Sequence, residues 1–168
     1  MALKTQKWDK ILGLLFEHPN KSFTVREISK KTCIPPSSAQ RYLEDLSKEG
    51  LITKDNAANI TPYFKFKKTF FIIDRIFKSG LIEFLDNEFK PSSIILFGSA
   101  RKGEYDKDSD IDLFIESTRE NKANLGAFEK KICHKIQLFV EKDINNLDLR
   151  LRNNVINGIK LAGYFKIE

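Results

Sequence analysis

The sequence predicts a two-part chain of the α+β class, a small helical domain ending in short strands followed by an α/β domain with a mixed sheet. Three observations predict it. Apolar residues over the first fifty or so positions recur at helical spacing, interrupted by Pro and Gly. Residues 67–90 are dense in Phe, Ile and Leu. Beyond residue 90, short apolar runs bounded by Gly, Ser and Asp alternate with helical patterns.

Taken in order, Trp8, Ile11, Leu12, Leu14, Leu15 and Phe16 place a helix over Trp8 to Glu17, stopped by His18-Pro19-Asn20. Thr24 is placed to cap a second helix, with Glu27 three residues on as in a capping box. Val25, Ile28 and the Cys33/Ile34 region supply its apolar side. Pro35-Pro36 breaks the chain. Ser37 or Ser38 is expected to cap a third helix, with Ala39, Tyr42, Leu43 and Leu46 on one face and Gly50 at its end. Leu51-Ile52-Thr53 and Ile60 to Phe66 read as two short strands around a turn at 55–59.

Residues 67–90 are too apolar for a linker and predict one long helix, or two that break near Ser79-Gly80. No Gly/Ser- or Pro-rich tether is present, so the two parts are expected to pack on each other. "SSIILFGS" (92–99), "DIDLFIES" (110–117) and "HKIQLFVE" (134–141) read as strands. Helices are expected over 122–133 and 143–158, the latter with Leu147, Leu149, Leu151, Val155, Ile156 and Ile159 as its apolar side. "GIKLAGYFKIE" reads as a short extended tail.

Composition narrows the function classes. With 41% hydrophobic residues and 14 Phe in 168, the chain can fill real cores, which excludes wholesale disorder. No run of about 18 apolar residues exists, so no membrane span and no membrane partner are expected. Met1 to Lys10 lacks an apolar stretch, so no signal peptide is expected. Cys33 and Cys133 are too far apart for a metal knuckle and are expected as small buried side chains in a reducing cytoplasm. The net charge of +6 suits a polyanion or a solvated lysine-rich surface equally. Residues 1–66 carry 11 Lys/Arg against 7 Asp/Glu, and residues 67–168 carry 18 against 16, so the N-terminal part is the more basic per residue.

Three short helices followed by a hairpin is the plan of a winged helix-turn-helix domain, and "REISKKTCIPPSSAQRYLEDLSKEGLI" resembles that family. The resemblance implies that the third helix enters the major groove of double-stranded DNA, presenting Ser37, Ser38, Gln40 and Arg41 to base edges, with Lys48 and Lys54 near phosphates. The other role open to such a domain is protein interaction or assembly into a homodimer.

The chemistry sits in "FGSARKGEYDKDSDIDLFI". Asp110 and Asp112 are two apart in a strand, so both point to one face, about 6.6 Å apart along the chain, where they can converge on one hard cation. Ile111, Leu113 and Ile115 are expected to face the core. Gly98 permits a tight turn close to a ligand. The alternative is an ordinary half-exposed strand behind an Asp-rich turn, the role expected of Asp106 and Asp108. Two acids on one face beside a Gly-Ser turn, however, repel each other without a cation.

Gly-Ser, ten residues, then Asp-x-Asp resembles the nucleotidyltransferase superfamily that includes DNA polymerase beta, and within it the minimal nucleotidyltransferase group. The resemblance covers roughly Ile94 to Val140. It implies Mg²⁺ on Asp110 and Asp112 as catalytic ligands, and an NTP, ATP by preference, held by Gly98, Ser99, Arg101 and Lys102. It further implies a toxin-like helical partner chain as acceptor. The domains expected are 1–66 winged helix-turn-helix, 67–90 a helical junction packed on both, and 91–168 nucleotidyltransferase-like.

One position departs from the superfamily. A third carboxylate from a later strand falls, by position, on Gln137, which cannot deprotonate a hydroxyl. Glu141 shares its parity two pleats further on. Two functions follow: an enzyme transferring AMP to a hydroxyl, or a DNA-binding regulator whose second half senses nucleotide without turnover. His18 and His134 are expected in surface or capping roles, Trp8 in the core, and Lys130-Lys131 on a solvated helix face.

Overall fold

The structure is a computed structural model that describes residues 7–119 and 121–164. The chain divides into two compact units, residues 1–68 and 69–168.

The first unit holds α1 (Lys7–Glu17), α2 (Val25–Thr32), α3 (Pro36–Lys48) and the start of α4 (Pro62–Ser79). Ile11, Leu15, Phe16, Ile28, Leu43, Leu46 and Leu51 are buried. Phe16 meets Phe64 edge-on, with ring centroids 5.1 Å apart. Trp8 is half-buried rather than central. The capping box forms as expected: Glu27 N donates to Thr24 Oγ1 at 3.2 Å, and Thr24 N donates to Glu27 Oε2 at 2.9 Å.

Two local expectations are corrected. α3 is not capped by a serine: it starts at Pro36, so Ser37 and Ser38 lie within its first turn. Proline suits that position, because its fixed φ is helical and its missing N–H would be unpaired there anyway. The expected strand over 60–66 is instead the opening of α4. Thr61 Oγ1 accepts from Phe64 N at 3.1 Å and Pro62 takes the first helical position, a helix start that overrides the strand preference of Tyr63, Phe64 and Phe66. The wing is therefore small. Ile52 bridges Ala58, closed by Thr53 N to Ala57 O (2.9 Å) and Asn59 N to Leu51 O (3.0 Å).

In the second unit α4 ends at Ser79 and α5 (Leu81–Phe89) follows, the break falling at Gly80 with φ +83°. Then come β1 (Ser93–Phe97), α6 (Gly98–Lys102), β2 (Ile111–Glu116), α7 (Gly126–Ile132), β3 (Ile136–Glu141), a 3-10 turn (Ile144–Asn146), α8 (Leu149–Ile156) and β4 (Ile159–Gly163). The sheet order is β3-β2-β1-β4. β1 runs antiparallel to β2 and β4, and β2 runs parallel to β3. The "tail" is thus an edge strand as far as Gly163; residues 165–168 of that expectation lie outside the described residues.

Period-2 alternation gives the sheet two faces. Ile94, Leu96, Ile111, Leu113 and Ile115 share one and are fully buried. Ile95, Phe97 and Phe114 share the other and pack with Val155, Phe139, Ile144, Leu147 and Leu151. Both faces of β2 are therefore covered at its centre. On α8, Val155 is buried but Leu149 and Ile156 are 65% and 58% exposed, so the apolar side is narrower than its sequence suggests. α7 is shorter than expected because Asn124 Oδ1 accepts from Gly126 N at 3.3 Å, a turn that precedes the helix. Cys33 and Cys133 are exposed and free, not buried; each caps a helix C-terminus in the left-handed region. No helix among the described residues is long and apolar enough to cross a membrane.

Candidate active site

β1 is a fully buried strand, and its end delivers Gly98 to the edge of the core. Gly98 has φ +69° and opens α6. Across the sheet, Phe97 pairs with Asp112, so the Asp112 side chain projects over the turn that Gly98 makes. A Cβ on Gly98 would collide with Asp112 Oδ2. Glycine is thus required twice at this position, by backbone conformation and by the approach of the carboxylate.

α6 is held from behind. Thr69 Oγ1 donates to the carbonyls of Ala100 and Arg101, each at 3.2 Å, and Glu104 N donates to Ser99 O at 2.9 Å. Ser99 is half-buried at the start of this short helix. Arg101 and Lys102 are exposed in its last turn. The loop before β2 is an Asp-centred turn: Asp106 Oδ1 accepts from Ser109 Oγ at 2.8 Å and from Asp108 N at 3.1 Å.

Asp110 is exposed just before β2, and Asp112 is half-buried within it. Burial first, and then the neighbouring charge of Asp110, push the Asp112 carboxyl above its ordinary range. Two carboxylates this close offer oxygen donors that could hold a hard cation. Among the described residues no cluster of three or more His, Cys, Asp and Glu surrounds them.

Gln137 pairs in register with Asp112 on the same face and is exposed. Glu141 pairs instead with Glu116, four residues along β2 from Asp112, about 13 Å away at strand rise. It is out of reach of the site. Glu116 is itself spent on structure, accepting from Ser92 Oγ at 2.5 Å and Ile144 N at 3.1 Å.

One titratable position differs from expectation. His134 is 5% exposed, its Nδ1 2.9 Å from Ser109 O, and its ring meets buried Tyr105 edge-on at 5.4 Å. Nothing in the sequence signals this, because the contact joins residues 25 apart. Lys130 and Lys131 are exposed, as expected, and Lys131 also donates to Ser79 O at 2.9 Å and lies over Phe128, tying α7 to the end of α4. In the first unit, Ser37, Gln40, Arg41, Lys48 and Lys54 are exposed and Ser38 is half-buried. Gln40 Nε2 donates to Glu44 Oε1 at 3.0 Å, and Arg41 stacks over Tyr42 at 5.3 Å.

Residues 78–161 match the nucleotidyltransferase domain family. The chain belongs to that family. Residues 10–56 match the IclR helix-turn-helix domain, so the nucleotidyltransferase domain follows a DNA-binding type of domain. A Methanocaldococcus jannaschii protein named "Putative protein adenylyltransferase MJ1379" is 33% identical over 69 residues, which are 37% of this chain and 69% of the relative. No solved structure matches the chain. The nucleotidyltransferase domain implies a nucleoside triphosphate as substrate, and the helix-turn-helix domain implies DNA.

Proposed function

We propose that the chain transfers AMP from ATP to a hydroxyl on a partner protein, while its helix-turn-helix domain binds double-stranded DNA. The observation that carries the reading is the seating of the Asp112 carboxylate on Gly98, with Asp110 beside it. This joins the turn that would receive phosphates to the acids that would hold a cation. The protein acceptor rests on the name of the Methanocaldococcus relative. A helical, toxin-like chain is the partner this reading favours.

The residues fit Mg²⁺. Asp110 and Asp112 offer two hard oxygen donors, and no further protein ligand crowds them among the described residues, leaving positions for phosphate oxygens and water. When bound, the ion would neutralise charge developing on the triphosphate. The chain's own groups do the rest. Gly98 and Ser99 hold the phosphates close to the backbone, and Arg101 and Lys102 add positive charge. The acceptor oxygen bonds to the α-phosphorus, the bond to the bridging oxygen breaks, pyrophosphate leaves with the electron pair, and the hydroxyl proton passes to water. On α3, Ser37, Ser38, Gln40 and Arg41 would meet base edges, with Lys48 and Lys54 near phosphates.

A second reading is a DNA-binding regulator that holds nucleotide without turnover. Gln137 in register with Asp112 favours it, since among the described residues the position beside Asp112 on β3 holds an amide, which cannot take the acceptor proton. Incubation with α-³²P-labelled NTPs, Mg²⁺ and candidate partner proteins separates the two. Label transfer with pyrophosphate release, lost in Asp110→Asn/Asp112→Asn, is expected. Nucleotide binding without pyrophosphate release from any acceptor would leave the regulator.

A further inference from the structure

A cavity of about 580 Å³ opens beside Asp110, walled by the 107–110 turn, by α7 and by the turn into β3. Its size is that of a ligand pocket. Gly98, Ser99 and Asp112 do not line it. Asp112 sits on the Gly98 turn and Asp110, two residues before it, lines the cavity, so the acid pair links the two.

The wall has two unspent features. The first is His134, which lines the cavity while 5% exposed. A carbonyl only accepts, so Nδ1 donates to Ser109 O, and in the neutral ring Nε2 presents a lone pair. That nitrogen is buried with no hydrogen-bond partner among the described residues. The second is charge. Glu129 is internally satisfied: its Oε1 accepts from Ile136 N at 3.1 Å and its Oε2 pairs with Lys135 at 3.3 Å. These contacts, the backbone one foremost, hold its carboxyl below the usual range. On the transfer reading Asp110 would hold the cation. Lys107 and Lys130 remain, both exposed and in no ion pair among the described residues, against one carboxylate, Asp108.

We propose that this cavity is the acceptor pocket, and that it takes a hydroxyl-bearing side chain from a protein segment with flanking carboxylates. Lys107 and Lys130 meet the carboxylates, on the wall that His134 helps to form. The pocket rests on the nucleotidyl-transfer reading, so its test keeps the two apart.

Full-length protein with Mg²⁺ is titrated separately with a non-hydrolysable ATP analogue and with fluorescein-labelled peptides carrying Ser, Thr or Tyr flanked by Asp/Glu or by Lys. A single-stranded RNA 12-mer is the third probe. The variants are Lys107→Glu/Lys130→Glu and Gly126→Phe. Gly126 lines the cavity, and a Cβ there meets only Asn124 Oδ1 at 3.6 Å, so a larger side chain can start into the cavity without strain at its first atom. Acidic peptide is expected to bind at least tenfold tighter than its lysine counterpart. Each variant should lose at least tenfold of that affinity while nucleotide affinity stays within twofold. Unchanged peptide binding in both variants overturns the pocket alone. A parallel fall in nucleotide affinity assigns the cavity to the nucleotide. Preference for RNA over acidic peptide overturns a protein acceptor. Wild type that binds no nucleotide overturns the transfer reading, and the acceptor role of the pocket with it.

Discussion

The carboxylate of Asp112 rests on Gly98, so that any side chain at Gly98 would occupy space the Asp112 oxygen already fills. Gly80 provides the control: its φ is +83°, but a Cβ there meets nothing within 4 Å. Gly80→Ala should cost only the left-handed backbone penalty, about 1–2 kcal/mol. Gly98→Ala adds displacement of Asp112 to a similar penalty. It should abolish divalent-cation and nucleotide binding, whereas Gly80→Ala retains both. Denaturant melts and titration with a fluorescent ATP analogue on the two variants check this. Equal nucleotide affinity in both would disconnect Gly98 from the site.

Asp112 also sets a pH dependence. Its carboxyl is pushed up, by burial first and by Asp110 second, so the folded chain holds this proton to higher pH than the unfolded chain does. Through that window the native state binds more protons, and the contribution to stability falls as pH rises. Without divalent cation, Asp112→Asn should therefore melt above wild type at neutral pH, and the gap should close as pH falls through the ordinary aspartate range. Mg²⁺ should restore the wild type, by about 2.7 kcal/mol at a hundred times its Kd, and leave the variant unmoved. Thermal melts over a pH series with and without Mg²⁺ read this directly. A variant that melts at or below wild type at neutral pH argues that the two charges do not oppose each other.

How far the sequence reached follows from what carries each signal. The turn at Gly98 was legible because it is local: a dipeptide at a strand end. The Thr24 capping box and the helix break at Gly80 were legible for the same reason. The strand expected at 60–66 failed because aromatic residues favour strands on average, while here Thr61 caps Phe64 N and Pro62 opens the helix. His134 was misjudged because its burial depends on Ser109 and Tyr105, which only the tertiary fold brings near. Glu141 could be ruled out only once β3 was known to run parallel to β2, placing it opposite Glu116.

That register makes Gln137 a sharp test. It is exposed and stands on the same face as Asp112 in the adjacent strand. Gln137→Glu keeps the shape, adds a third carboxylate beside the pair and buries no new charge. If proton acceptance limits transfer, label incorporation with Mg²⁺ should rise at least tenfold, within the usual range for an added general base. Without Mg²⁺ the variant should melt below wild type, because three acids crowd one face. A variant with unaltered rate and altered melting would show that Gln137 lies near the acids but outside the chemistry.

The helix-turn-helix unit gives the last prediction. Arg41 is exposed on α3 and stacks over Tyr42, which limits its freedom without engaging its donors. Lys54 is exposed in the wing. A base-edge contact and a phosphate contact leave different signatures. Arg41→Ala should cost about 1–3 kcal/mol on a preferred duplex and relax the preference at one base position. Lys54→Ala should weaken all duplexes alike and lower the slope of log affinity against log salt by about one. Fluorescence anisotropy with a selected duplex and a scrambled one, over a salt series, separates them. If Arg41→Ala weakens both duplexes equally, the side chain belongs with the phosphate contacts and sequence is read by Ser37, Ser38 and Gln40.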